Sequence, residues 1–352
     1  MNTNPIQHAI DVISRFGHLQ EADAEAVMNQ IMSGGATDAQ IGSYLMGLRM
    51  KGETLEEIIG SARAMRANAH RVPVAVDGDL LDTCGTGGDR SMTFNISTTV
   101  AFVAAGAGVR VAKHGNRAAS SKSGSADVLG ALGLNLDLTP EQVGQCVDEI
   151  GMGFLFAAKL HPAMKHAIQT RRDMAVRTMF NILGPLTNPA GANRQLMGVF
   201  APDLTEFIAY VLKALGTKTA LVVCGYGNLD ELTITGPNTV AMLTEDGHVQ
   251  TMEIDPLQYG FEGANISELR GDDPVTNAAI LRGILDGTIE GAKRDVVLLN
   301  GGAALWAAGV VDNLADGIVK ARESIDSGAA LAKMEALIAH SQSLRPLEGR
   351  GD

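Results

Sequence analysis

At 352 residues, 45% of them hydrophobic and 19% charged, the chain has the length and apolar content for two domains around buried cores. Forty acidic against 28 basic residues leave a net charge of −12, which argues against a basic nucleic-acid platform but not against a small polyanionic ligand, because a few placed Lys and Arg side chains suffice for phosphate. Cys84, Cys146 and Cys224 form no CxxC pair, so neither a zinc site nor a disulfide framework is expected.

The start Met1-Asn2-Thr3-Asn4-Pro5 lacks a basic segment followed by an apolar run, so no signal peptide is expected. No apolar stretch is long enough for a membrane span, and a cytoplasmic location follows. Residues 5–70 read as helical throughout. Segment 21–33 is rich in helix formers and closed by Gly34-Gly35. Thr37-Asp38-Ala39-Gln40 restarts a helix with Ile41, Tyr44, Leu45 and Leu48 at helical spacing, and Thr54-Leu55-Glu56-Glu57 opens another.

After Arg71-Val72-Pro73-Val74 the pattern changes to short β-type runs alternating with helical segments. Runs 80–82, 109–112, 195–200, 219–223, 239–244 and 295–300 are predicted strands. Segment 152–194 is predicted to hold two helical stretches around the break Gly184-Pro185-Leu186-Thr187-Asn188-Pro189. Residues 314–327 and 329–341 are predicted helices, and the tail 348–352 is expected to fray. The alternation predicts parallel strands with crossover helices.

Chemistry concentrates in four places. The turn Cys84-Gly85-Thr86-Gly87-Gly88-Asp89 follows strand 80–82 and precedes a helix at 97–103 whose Ser and Thr suit an N-cap. Its glycines let several N–H groups approach an anion; equally, it is a tight βα connection. It is neither a Walker A loop nor GxGxxG. Residues 113–125 then pack three cations, four serines and two glycines into 13 residues, which reads as a phosphate loop or as a mobile polar one. Both loops follow parallel-type strands, where open α/β sheets bind ligands. Asp230-Glu231, after strand 219–223, are candidate Mg²⁺ ligands or an ordinary solvated acidic pair. Arg171-Arg172-Asp173-Met174-Ala175-Val176-Arg177 offers an Arg for a carboxylate, or exposed arginines with an ion pair.

With these residues placed, the chain resembles the anthranilate phosphoribosyltransferases over nearly its whole length. Residues 82–89 match the family's DTCGTGGD signature, 95–98 its NIST element, 113–127 the pattern KHGNR-x-x-SSKSGSAD, and 177–189 a further long motif. Four ordered motifs do not coincide by chance. The resemblance implies an α/β fold: a small all-helical domain plus a larger α/β domain with a mostly parallel central sheet flanked by helices. The boundaries expected are 1–75 for the helical domain, completed by helices within about 165–190, and 76–352 for the larger one. It also implies a homodimer formed through the helical part, no membrane or nucleic-acid partner, and a separate anthranilate synthase as a possible associate.

The activity implied is Mg²⁺-dependent transfer of the phosphoribosyl group from 5-phosphoribosyl 1-diphosphate (PRPP) to the amine of anthranilate, with two Mg²⁺ per chain. Carried over by motif, Gly85, Gly88, Asp89, Thr93, Asn95, Ile96, Ser97 and Thr98 contact PRPP. So do Lys113, His114, Gly115, Asn116, Arg117, Ala118, Ala119, Ser120, Ser121 and Ser125. Gly85, Asn116 and Arg171 contact anthranilate, and Ser97, Asp230 and Glu231 hold the metal. Arg177 falls in the structural run that follows Arg171. No general base is assigned; His114 is the nearest titratable side chain. Three departures stand out: Cys224-Gly225 where the family often has His-Gly, Ala175 where Gly is usual, and Gly130 in place of a common Glu. Two rival readings are weaker. A pyrimidine nucleoside phosphorylase would not need the acidic pair, and a non-catalytic paralogue would be expected to lose these contacts or gain a basic face.

Overall fold

The computed structural model describes residues 4–89, 91–118 and 122–344. The first part is helical: α1 (Pro5–Ser14), α2 (Glu21–Met32), α3 (Asp38–Lys51) and α4 (Leu55–Ala67). Their boundaries are local chemistry. Asn4 caps α1 with Pro5 at its first position, and Thr37/Gln40 and Thr54/Glu57 close reciprocal capping boxes at α3 and α4. Ile6, Met28, Ile31, Tyr44, Leu45 and Ile58 are fully buried between these helices. The same apolar cluster takes in Ala167, Phe180, Ile182 and Leu186 from later in the chain, and continues onto one face of the sheet through Val222, Ala241 and Leu243.

The sheet has seven strands: β1 (Leu81–Asp82), β2 (Val111–Gly115), β3 (Met152–Phe156), β4 (Arg194–Gly198), β5 (Thr219–Cys224), β6 (Asn238–Leu243) and β7 (Val249–Ile254). Their order is β3-β2-β1-β4-β5-β6-β7. The first five neighbours pair in parallel, and β6 and β7 add an antiparallel edge. The expected architecture, a helical domain and a mostly parallel sheet flanked by helices, is the one observed. The flanking helices are α5 (Ile96–Gly106), α6 (Ser125–Ala131), α7 (Pro140–Ile150), α8 (Ala157–Leu160), α9 (Lys165–Met174), α10 (Phe180–Leu183), α11 (Leu204–Ala214), α12 (Pro274–Leu285), α13 (Ala292–Ala307), α14 (Leu314–Asp326) and α15 (Ala329–Ser343). Among the described residues no helix is long and apolar enough to cross a membrane.

Three expectations need correction, and one strand is added. Residues 295–300 are not a strand; they lie inside α13, where residues 296–305 are buried all round. A short apolar run carries no period, so its composition alone reads as β. Residues 152–156 are not helical but form β3, paired with β2 at five positions. The run Val249–Ile254 is a further strand: Gln250 and Glu253 dilute its apolar content, yet it pairs along β6. Finally, β2 starts two residues later than predicted and carries Lys113 and His114 inside the sheet rather than in the loop.

Helix α9 ends on Ala175 in the left-handed conformation, φ +51°. That region disfavours any Cβ by about 1–2 kcal/mol, partly offset by the greater unfolded-chain freedom of glycine. Ala175→Gly is therefore expected to raise stability by about 0.5–1 kcal/mol in chemical denaturation. A lower midpoint would show that the methyl packs usefully.

Candidate active site

The parallel strands β1, β2, β4 and β5 end on the same side of the sheet, and the chain order switches between β1 and β4. Ligands of open α/β sheets bind at such a switch. The glycine-rich turn leaves β1 there. Asp82 anchors it from below: Oδ1 accepts from the N–H groups of Cys84 and His114, both at 3.0 Å, and Oδ2 accepts from Asn188 Nδ2 at 2.7 Å. Burial pushes the Asp82 carboxyl up to about 6. Gly87 and Gly88 are consecutively left-handed, φ +66° and +77°, a conformation that requires glycine even though open space lies beside each. The Thr86 N–H donates to Gly198 O at 2.9 Å, and the Gly87 N–H to Asp230 Oδ2 at 2.5 Å.

Lys113 stands within the sheet, not in solvent. Its ammonium, 2% exposed with the rest of the side chain, donates to Thr83 O and Oγ1 at 3.2 Å and to Ser97 Oγ at 3.4 Å. The expected Ser/Thr cap of α5 is also absent. Asn95 occupies the N-cap without a capping bond; its amide instead donates to Ser123 O at 3.3 Å and accepts from Asn277 at 3.0 Å. The first N–H groups of α5 find acceptors outside the helix: the Ile96 N–H donates to Phe94 O at 2.7 Å and the Ser97 N–H to Glu231 Oε1 at 3.0 Å. The Ile96 side chain belongs to the core, so only its backbone faces the site.

Asp230 and Glu231 are wedged between backbones. A Cβ on Gly198 would lie 1.5 Å from Asp230 O, one on Gly225 2.3 Å from Glu231 O, and one on Gly85 2.9 Å from Asp230 Oδ2. Burial first, then the charge of Asp89, pushes the Asp230 carboxyl up; burial and Asp230 do the same to Glu231. Among the described residues neither forms an ion pair with Lys or Arg. Nor is any group of three or more His, Cys, Asp or Glu arranged to hold a metal unaided. Two crowded carboxylates and a Ser hydroxyl are a hard, all-oxygen donor set. They fit a Mg²⁺ ion that takes its remaining ligands from substrate and water.

Asp127 folds the second loop. Its Oδ2 accepts from the N–H groups of Ala118 and Gly124, both at 3.0 Å, and its Oδ1 pairs with Arg117 at 3.0 Å. Asn116 Oδ1 accepts from the Arg117 N–H at 2.8 Å, and Ser125 Oγ donates to Asn116 O at 3.3 Å. Ala119, Ser120 and Ser121 lie outside the described residues, as does the tail 348–352.

Comparison with known proteins gives the family. Residues 77–331 match the description "Glycosyl transferase family, a/b domain", and residues 7–69 "Glycosyl transferase family, helical bundle domain". The anthranilate phosphoribosyltransferase of Citrifermentans bemidjiense is 53% identical over 347 residues, covering 95% of this chain and 98% of that protein. The Thioalkalivibrio sulfidiphilus enzyme of the same name is 53% identical, covering 96% and 99%. The chain belongs to the anthranilate phosphoribosyltransferase family. A crystal structure of such an enzyme from Thermus thermophilus superposes with a TM-score of 0.90 at 41% identity, covering 97% of this chain and all of that one. The Saccharomyces cerevisiae enzyme in complex with PRPP and Mg gives 0.88 at 28% identity, covering 96% and 98%.

In this family member several of the sequence-predicted residues come together. Gly85, Ser97, Lys113, Asp230 and Glu231 are linked as above. Asp89 joins them: its Oδ2 accepts from Ser91 Oγ at 2.8 Å, and that hydroxyl lies 3.3 Å from Thr93 Oγ1. Thr98 is buried in the first turn of α5 with its hydroxyl unpartnered. Arg117 faces the Phe156 ring at 5.8 Å, and Arg171 the Phe180 ring at 5.0 Å. The Arg171 guanidinium forms no hydrogen bond or ion pair with any described residue, and burial lowers its pKa.

His114 is buried against His161, ring centroids 5.0 Å apart, with both Nε2 atoms unpartnered. Burial pushes His114 down to about 3, and His161 down to about 4, so each is neutral near pH 7 and poorly suited as a base. Sequence reasoning missed His161, which sits in a stretch read only as helix. It also missed Gly198 and did not foresee what Arg177 braces. That guanidinium donates to Gly88 O and lies 4.2 Å over the Phe200 ring, while its own carbonyl accepts from Arg49 of α3 at 2.6 Å. Lone residues of this kind carry no motif; only their contacts single them out.

The departures from the family pattern are absorbed. Cys224 is buried at the end of β5, and the loop after it closes by the Gly225 N–H donating to Leu229 O at 2.8 Å. A Cβ at Gly130 would meet only Leu136, at 3.5 Å.

Proposed function

We propose that the chain transfers the phosphoribosyl group of PRPP to the amine of anthranilate, giving N-(5-phosphoribosyl)anthranilate and diphosphate in tryptophan biosynthesis. The observation that carries this reading is the convergence of three elements on two carboxylates. The Gly87 N–H bonds Asp230 and the Ser97 N–H bonds Glu231, so the glycine-rich turn, the start of α5 and the acidic pair form one wall. Mg²⁺ held by Asp230, Glu231 and Ser97, two ions per chain, would neutralise charge on the departing diphosphate.

The remaining work falls to the chain. The glycine-rich turn 85–89 and the start of α5 frame the space for the diphosphate, and Arg117, Lys122 and Ser125 add cations and a hydroxyl. Lys113 acts from inside: it fixes Thr83 and Ser97, and so the shape of the turn. The amine is its own nucleophile, so positioning and electrostatic stabilisation of an oxocarbenium-like transition state supply most of the rate. Arg171 is the carboxylate clamp, supported by its unpaired, partly buried guanidinium, with Gly85 and Asn116 completing the acceptor site.

The family resemblance further supports residues 1–75, with helices from about 165–190, as one domain and 76–352 as the other. It also supports a cytoplasmic homodimer through the helical part, where Phe16 and Met50 are exposed, and a separate anthranilate synthase upstream.

Arg171→Ala tests the assignment. Loss of a charge-assisted hydrogen bond worth about 1.5–3 kcal/mol should raise the anthranilate KM by about 10- to 150-fold. The PRPP KM should change little. Equal shifts in both, read by anthranilate fluorescence, would remove Arg171 from the acceptor site.

A further inference from the structure

Two buried asparagines, one 68 positions away and the other five, grip the residues that follow the acidic pair. The Leu232 N–H donates to Asn300 Oδ1 at 2.9 Å, and Asn300 Nδ2 donates back to Leu232 O at 2.8 Å. At the next residue, the Thr233 N–H donates to Asn238 Oδ1 at 2.7 Å, and Asn238 Nδ2 donates to Thr233 O at 3.0 Å. Each side-chain amide thus stands in for a neighbouring strand over one residue. Asn300 lies on α13 and Asn238 on β6, and both amides and both gripped residues are fully buried, at 0% exposure.

No donor is spare. The second Asn300 N–H reaches Val296 O at 2.8 Å, and Asn238 Nδ2 also contacts Ile254 O at 3.0 Å. Upstream, the Gly225–Leu229 bridge closes the other side of the loop. Between these two fixed ends the carboxylates accept from Gly87 and Ser97, but the Asp230 backbone N–H has only a 3.4 Å contact with Asp89 Oδ2. Two half-buried carboxylates beside a third relax most easily by swinging one of them towards water. A firm grip one residue downstream opposes that swing.

We propose that Asn300, seconded by Asn238, is a positioning residue that holds Asp230 and Glu231 in their metal-binding arrangement. Asn300 spends all its bonds inside the core, so it acts through the Leu232 backbone and not on the substrate. The proposal rests on the metal role given to the acidic pair under Proposed function. It places part of the metal site's specification on a helix that carries no ligand, as outer partners do in other metal sites.

The test uses the full chain with Mn²⁺ as the probe, titrated with PRPP present and followed by the electron paramagnetic resonance of free Mn²⁺. Asn300→Ser should weaken Mn²⁺ binding by about tenfold or more, the usual cost of removing an outer partner. Hydrogen exchange in a peptide spanning 229–234 should accelerate, while β4 stays protected and the anthranilate KM holds within about twofold. Asn300→Asp, which turns an oxygen on Leu232 O and Val296 O in a fully buried place, should lose at least as much. Unchanged Mn²⁺ affinity in the folded variant overturns the proposal, as does an equal rise in the anthranilate KM. If Asn300→Ser does not fold, Asn238→Ser is put to the same measurements. Failure of the unsubstituted chain to take up Mn²⁺ with PRPP would instead sink the metal assignment itself.

Discussion

Gly198→Ala is expected to cost at least about a hundredfold in kcat/KM for PRPP, a loss of the size that ångström-scale misplacement of reacting groups produces. The residue ends β4, and its carbonyl accepts the Thr86 N–H of the glycine-rich turn. A Cβ there would lie 1.5 Å from Asp230 O and 2.2 Å from Asp230 C, both backbone atoms with no flexible side chain to yield. The strand is held by register on both sides, to β1 and to β5, so the acidic loop must move instead. Overpacking of this kind typically costs about 1–3 kcal/mol or more in stability, and denaturation should show it. Gly263→Ala is the control, since nothing lies near a Cβ there. Near-normal kinetics for Gly198→Ala would mean that the loop's position against β4 does not matter to the reaction.

Replacing both Asp230 and Glu231 with alanine is expected to abolish Mg²⁺-dependent turnover, leaving at most about a thousandth of the rate if charge neutralisation at the diphosphate supplies several kcal/mol. The fold should survive. Both carboxyls are raised above their unfolded values, by burial and by neighbouring charge. The sign is therefore unfavourable: such groups stabilise the folded chain only below their unfolded pKa and cost stability as pH rises above it. In metal-free buffer at pH 7 the double variant should denature no earlier than the parent. An inactive variant of at least parental stability would tie the loss to chemistry. Retained Mg²⁺-dependent activity would remove the metal assignment.

Much of the candidate site was legible in order along the chain. The DTCGTGGD turn, the NIST element and the KHGNR loop are contiguous and rich in residues with special backbone or donor properties, so each signals locally. The helical N-terminal part was equally plain, because Thr37/Gln40 and Thr54/Glu57 close their caps within three residues. Local signals failed where burial erased the period. Residues 296–299 lack polar punctuation, so nothing nearby shows that they wind into α13.

The motifs told which residue types gather, and the tertiary structure decided what each one does there. Lys113 reads as a loop cation, yet strand pairing with β3 draws it into the sheet, where it braces Thr83 and Ser97. Arg177 reads as a scaffold residue, and the fold shows what it braces: Gly88, 89 positions away. Gly198 and Asn300 carry no motif at all; their importance lies in the approach of Asp230 to one and of Leu232, 68 positions away, to the other. Caps, turns and glycine conformations are settled within a few residues and can be read from the chain. A close approach between distant backbones exists only after the sheet has formed, because packing and register, rather than neighbouring residues, set those distances.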